Sequence, residues 1–89
     1  MSGPRSEFDP RKSQSNKIKH GISFTEAQFL WSDNQRIQIS ARTNDEPRFV
    51  VVGIIEDKHW SVVITYRSER IRIISVSCSR KEEVKLYEG

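Results

Sequence analysis

The stretch ITYRSERIRIIS places Arg67, Arg70 and Arg72 in and beside a β-branched run. Guanidinium groups two residues apart share one face of a strand and repel unless an anion lies over them. Phosphate suits that place, because the planar guanidinium donates two parallel hydrogen bonds. A solvated face gives the same spacing without a ligand, and so does an ion pair with Glu69, Glu46 or Glu56, although such pairs contribute little at a surface. Between Lys58 and Lys81 the basic residues Lys58, Arg67, Arg70, Arg72, Arg80 and Lys81 stand against one acid, Glu69, although the whole chain carries only +3. That imbalance fits a phosphate-rich partner, and equally an acidic protein.

Other chemistry is sparse. His20 and His59 titrate near neutrality without help, but an isolated histidine more often serves structure than catalysis. The His and Cys residues lack metal-ligand spacing, and no Gly-x-Gly-x-x-Gly or phosphate loop is present, so neither metal nor cofactor is expected. Cys78 is the only cysteine. It rules out an intrachain disulfide, points to a reducing cytoplasmic home, and is a weak candidate nucleophile beside basic neighbours. No apolar run approaches the roughly 18 residues of a membrane span, and no signal-peptide core is present.

These residues need elements to hold them. At 89 residues with 35% apolar content, the chain predicts one domain with a thin core. Residues 1–7 read as a disordered leader or tag remnant, and 8–89 as the domain. Asp9-Pro10 predicts a helix start and Gly21 its end near His20. That helix is polar: Lys12, Asn16 and His20 fall on one stripe, which reads as a solvated face. SFTE is a capping box opening a second helix at Ser23, with Phe24, Ala27, Leu30 and Trp31 as its core face and SDN as its end. Four strands follow: RIQIS, RFVVVGIIE, HWSVVITY and RIRIISVS, the last three joined by DK and RSE turns. Such short connections demand antiparallel pairing. On the last strand, alternation puts Ile71 and Ile73 on one side and Arg70, Arg72, Ile74 and Val76 on the other. SRKE predicts a final helix capped by Ser79 with Glu82 in its third position, anchored by Val84 and Tyr87. The expected class is α+β: two N-terminal helices, a four-stranded, mainly antiparallel twisted sheet, and a C-terminal helix.

FDPRKSQSNKIKHGISFTEA, DEPRFVVVG, KHWSVVITYRSERIRIISV and SRKEEVKLYE together resemble the BrnT family of toxins from type II toxin–antitoxin operons. The likeness runs from about Phe8 to Glu88. It implies a RelE-like domain and a metal-independent ribonuclease that arrests translation in the bacterial cytoplasm, with RNA, mRNA included, as substrate. It also implies neutralisation by a BrnA-like DNA-binding antitoxin in a 2:2 heterotetramer, which would touch operator DNA only through the antitoxin. On that template the RNA 2′-hydroxyl attacks the adjacent phosphorus while basic groups stabilise the developing charge. The resemblance carries over Arg67 and Arg72 to phosphate, Arg48 to phosphate or an orienting carboxylate, and His20 and Glu69 to proton transfer. The base is left open among His20, Glu69 and a water-mediated group. Lys19, Tyr66, Arg70, Arg80 and Lys81 complete the implied RNA-binding set. The chain departs from the family where it usually continues into two arginines: here stand Ser77 and Cys78. That departure opens a second reading, a catalytically impaired homologue acting only as an antitoxin-binding module.

Overall fold

Asp9 caps α1 (Pro10–His20), its carboxylate accepting from the Arg11 N–H, and Pro10 sits at the helix start, where no N–H is needed. Gly21 ends the helix in the left-handed region, at φ 82. The computed structural model describes residues 6–41, 46–68 and 70–89. The stripe expected to face solvent is in part buried. Ser13 and Asn16 are each 7% exposed, whereas Ile18, the helix's one large apolar residue, is 80% exposed. The reason lies in unpaired backbone. Asn16 donates to the carbonyls of Ile22 and Val76 and accepts from the Val76 N–H, while Ser13 accepts from the Phe24 N–H. An amide carries a donor and an acceptor side by side, so it satisfies a strand edge as another strand would.

The Ser23 capping box is present and opens α2 (Phe24–Ala27), but the chain then tightens into a 3-10 helix over Gln28–Ser32 instead of one longer helix. Phe24, Ala27 and Leu30 still reach the core. Asp33 closes this segment. Its carboxylate accepts from the Gln35 and Ile54 N–H groups and from the Tyr87 hydroxyl.

The sheet is five-stranded and mixed, ordered β1-β5-β4-β3-β2. Its antiparallel part, β2 (Ile37–Ala41), β3 (Arg48–Ile55), β4 (Lys58–Arg67) and β5 (Arg70–Cys78), follows the expected order. The addition is β1 (Ser6–Glu7), which pairs parallel with β5 at Ile71 and Arg72. Two residues carry no periodicity, so this strand was invisible in the sequence, and Ser6 and Glu7 belong to the sheet instead of a leader. The β3–β4 turn falls on Glu56 and Asp57, one residue earlier than expected, and both have positive φ, 49 and 67.

A bulge corrects the reading of β5. Val63 pairs with Ser75 but Ile64 pairs with Ile73, leaving Ile74 as the extra residue. Alternation flips there, so Val76 joins Ile71 and Ile73 in the core, opposite to the side expected for it. The helix-side face carries Val51, Trp60, Val62, Ile64, Ile71, Ile73 and Val76 against Ile22, Phe24, Ala27 and Leu30. A side chain at Gly53 would collide with Leu30, so glycine there is what lets the 3-10 segment close on β3.

α3 (Lys81–Glu88) crosses the opposite face at the end near the β3–β4 turn. Its N-cap is Arg80, whose N–H donates to Glu83, one residue later than the expected Ser79–Glu82 box. The Ser79 hydroxyl lies 2.7 Å from that of Ser61, and Ser61 also donates to Glu83. These contacts with β4 take Ser79 away from capping. His59 and Tyr87 pack edge to face, 5.4 Å between centroids, and His59 Nε2 is 2.7 Å from Glu88. Among the described residues, no helix is long and apolar enough to cross a membrane.

Candidate functional site

Strand register decides which cations can share a ligand. Thr65 stands beside Arg72, Arg67 beside Arg70, and Glu7 beside Arg72. Phe49 pairs with Ile64, so Arg48, one residue back, stands beside Thr65. Paired residues project to the same side of a sheet. Arg48, Thr65, Arg72 and Glu7 therefore form a row across β3, β4, β5 and β1 on the face away from α1 and α2. Arg67 and Arg70 extend it toward the β4–β5 hairpin. With strands about 4.8 Å apart, the Arg48 and Arg72 Cα atoms are about 10 Å apart, near enough for both long side chains to meet one anion.

Among the described residues, the charges in the row are incompletely matched. Glu7 lies 3.2 Å from Arg72 and 3.8 Å from Arg70 through its two oxygens, and Arg67 lies 3.5 Å from Glu46. Arg48 Nε is buried and, among the described residues, has no partner. Of the expected counter-charges, Glu46 is in place and Glu56 lies in the turn at the far end. Glu69, expected as a counter-charge and as a proton carrier, lies outside the described residues. Glu7 is the acid that sequence reasoning missed. Its one signal was Phe8, apolar and just before the helix cap, which packs edge to face on Phe24 and orders the entry to α1. Thr65 donates to the Pro47 carbonyl at 2.7 Å, fastening the start of β3 that carries Arg48.

Other expected residues lie elsewhere. Lys19 and His20 end α1, and the adjoining Gly21 lines a hollow with Ile55, Lys58 and Trp60. Trp60 and Arg67 are about 23 Å apart along β4 at about 3.3 Å per residue. Lys19 and His20 thus stand at the far end of the sheet and do not join the arginines. Tyr66 is on the helix-side face, packed edge to face on Phe49, its hydroxyl donating to Gln38 at 2.6 Å. Arg80 and Lys81 start α3, beyond Ser61. Among the described residues, no group of three or more His, Cys, Asp and Glu is placed to hold a metal.

A family model described as ribonuclease toxin, BrnT, of type II toxin-antitoxin system matches residues 8–83. The chain belongs to the BrnT family. A search of curated proteins finds no match. The BrnT match includes Arg48, Arg67, Arg70 and Arg72 and ends inside α3. It also frames the departure at the end of β5. Ser77 pairs with Ser61 and Cys78 with Trp60. Ser77 therefore faces the same side as Arg72, whereas Cys78 faces the helix side. The two positions where arginines were expected are not equivalent.

Proposed function

We propose that this BrnT-family chain cuts RNA, mRNA included, without a metal and so stops translation in the bacterial cytoplasm. In this reading Arg48 and Arg72 hold the non-bridging oxygens of the scissile phosphate, and Arg67 and Arg70 draw in the neighbouring backbone. The 2′-hydroxyl gives its proton to water as its oxygen forms a bond to phosphorus, and the bond to the 5′-oxygen breaks as that oxygen takes a proton from water, leaving a 2′,3′-cyclic phosphate and a 5′-hydroxyl. Fixed guanidiniums favour this step because negative charge builds up on the phosphoryl oxygens in the transition state. Glu7 spaces Arg70 and Arg72. His20 takes no part in the proton transfers, since it sits at the other end of the sheet. A BrnA-like DNA-binding antitoxin neutralises the toxin in a 2:2 heterotetramer and alone touches operator DNA.

The observation that carries the reading is the row of cations from β3 and β5 on one face, with Arg48 Nε buried and unpartnered among the described residues. The test is incubation with RNA in excess chelator, reading ends by their phosphates. Cyclic-phosphate ends at an undiminished rate support it. Dependence on added magnesium, or no cleavage at any dose, defeats it. The second reading, an antitoxin-binding module without chemistry, draws on Ser77, which gives the arginine face a hydroxyl where a cation was expected.

A further inference from the structure

On the helix-side face, at the β4–β5 hairpin end, a hollow of about 380 Å³ opens between the 3-10 segment and the sheet. We infer that the hollow between Trp31, Arg36, Gln38 and Tyr66 receives one unpaired nucleobase of the RNA whose backbone lies on Arg70 and Arg72. This rests on the ribonuclease reading above and adds the part of the substrate that the arginines cannot read.

The volume is at the small end for ligand sites. Val51, Ile64, Ile71 and the side chains of Trp31 and Tyr66 are among the residues that line it. The polar groups are oriented. Tyr66 donates to Gln38 Oε1, which leaves the amide nitrogen of Gln38 to donate. Arg36 is fixed by donation from one nitrogen to the carbonyls of Trp31 and Asp33, at 3.2 and 3.1 Å. Trp31 Nε1 has no partner among the described residues. Two aromatic residues with an amide and a guanidinium among the lining suit an aromatic base, which stacks by its faces and hydrogen-bonds around its rim. A bare phosphate has no use for the rings.

Position ties the hollow to the arginines. Tyr66 precedes Arg67, and Ile71 lies between Arg70 and Arg72. Neighbours on a strand point to opposite faces. A single strand rounding this end of the sheet would therefore lay phosphate on one face and turn a base into the other.

The chain has two tryptophans, and Trp60 lines the separate hollow at the far end. Their indole N–H signals in a nitrogen-15 spectrum of the full chain, assigned with Trp31→Phe, report each hollow independently. Titration with the four nucleoside 3′-monophosphates should move the Trp31 signal for at least one base and leave Trp60 still. Ribose 5-phosphate and inorganic phosphate should leave both still. Gln38→Leu, an exposed position on an edge strand, should weaken the response about tenfold. Silence of Trp31 toward all four nucleotides overturns the pocket, as does an equal response to ribose 5-phosphate or no change in Gln38→Leu. A response only to an acidic peptide also overturns it, in favour of a protein contact. Trp31 movement in a chain that cuts no RNA defeats the ribonuclease reading and keeps the pocket. Cleavage with the same base preference in Gln38→Leu defeats the pocket and keeps the ribonuclease.

Discussion

β4 carries one face of the sheet past two unlike neighbours. At its His59 end α3 lies over the sheet, Val52 is fully buried, and several polar groups have close partners: Ser61 with Ser79 and Glu83, Tyr87 with Asp33, His59 with Glu88. At its Arg67 end the face is open, and Arg67 and Arg70 have side chains 55% and 57% exposed, with acids at 3.5 and 3.8 Å. The covered end satisfies these polar groups at hydrogen-bond distance. Among the described residues, the open end leaves cations partly unmatched in a fold that elsewhere pairs even a helix asparagine. Natural proteins tend to tolerate such local mismatch where a ligand completes it. Separate consequences should follow for activity and for stability.

The largest effect should come from the open end. Arg72→Ala should lower RNA cleavage by about 10²–10³-fold, the loss typical of one fixed donor to transition-state charge. Thermal unfolding should fall only slightly, because the pair lost, to Glu7, is still about one-third exposed on each side and such pairs contribute little. Equal loss of melting temperature and activity would mean that the row is a brace and not a site. Next in size is Ser77→Arg, on the arginine face but beside Ser61 at the covered end: it should raise cleavage by about 10²-fold if a long side chain from there reaches the phosphate. Cys78→Arg should do nothing for cleavage, since it projects to the face of Trp60. A gain from Cys78→Arg alone would contradict the register at the end of β5.

The covered end should respond in the opposite way. Val52→Ala should cost about 2 kcal/mol of stability, by lost burial and a small cavity, read by urea unfolding. Cleavage per folded molecule should not change. Between the two ends sits Glu7, which touches both arginines but is itself negative. Glu7→Gln should bind RNA more tightly, by relieving repulsion, and turn over about tenfold more slowly, by letting Arg70 and Arg72 drift. A variant that loses affinity and rate together would make Glu7 a structural tie only.

Much of this division was legible in the residues. Capping signals placed the starts of α1 and α2, and β-branched runs placed the four antiparallel strands, because both are local. The arginine face was half legible: alternation put Arg70 and Arg72 together, but Arg48 joined them only through β3–β4 register, a non-local fact. The bulge at Ile74 escaped because one inserted residue leaves composition unchanged while reversing every side chain beyond it. Asn16 was misread because propensity sees a polar helix face, whereas the fold sees an unpaired strand edge at Val76. Glu7 was set aside with the leader, as two residues of edge strand depend on β5 for their existence. His20, one of the groups left open as the base, closes α1 at the far end of the sheet from the arginines, a placement that only the packing of α1 along β5 reveals.

The smallest effect tests how α3 is fastened. Asp33 is partly buried, which would raise its carboxyl pKa. Hydrogen bonds from the Tyr87 hydroxyl and the Gln35 and Ile54 N–H groups outweigh that burial and hold it below its ordinary value. The same bond pushes the Tyr87 phenol up to about 12. A depressed carboxyl stabilises the fold above its unfolded pKa and loses that contribution as pH falls through the folded value. A raised phenol stabilises the fold below pH 10 and loses that contribution as pH climbs toward 12. Tyr87→Phe should therefore be less stable than the parent by about 1 kcal/mol between pH 5 and 9, the ordinary worth of a partly exposed hydrogen bond. The gap should narrow below pH 4, as Asp33 takes up a proton, and again above pH 10, where the parent alone has a phenol here to ionise. Urea midpoints of both chains across that range measure it. A gap constant from pH 3 to 11 would show that α3 is held by its apolar contacts and not by this bond.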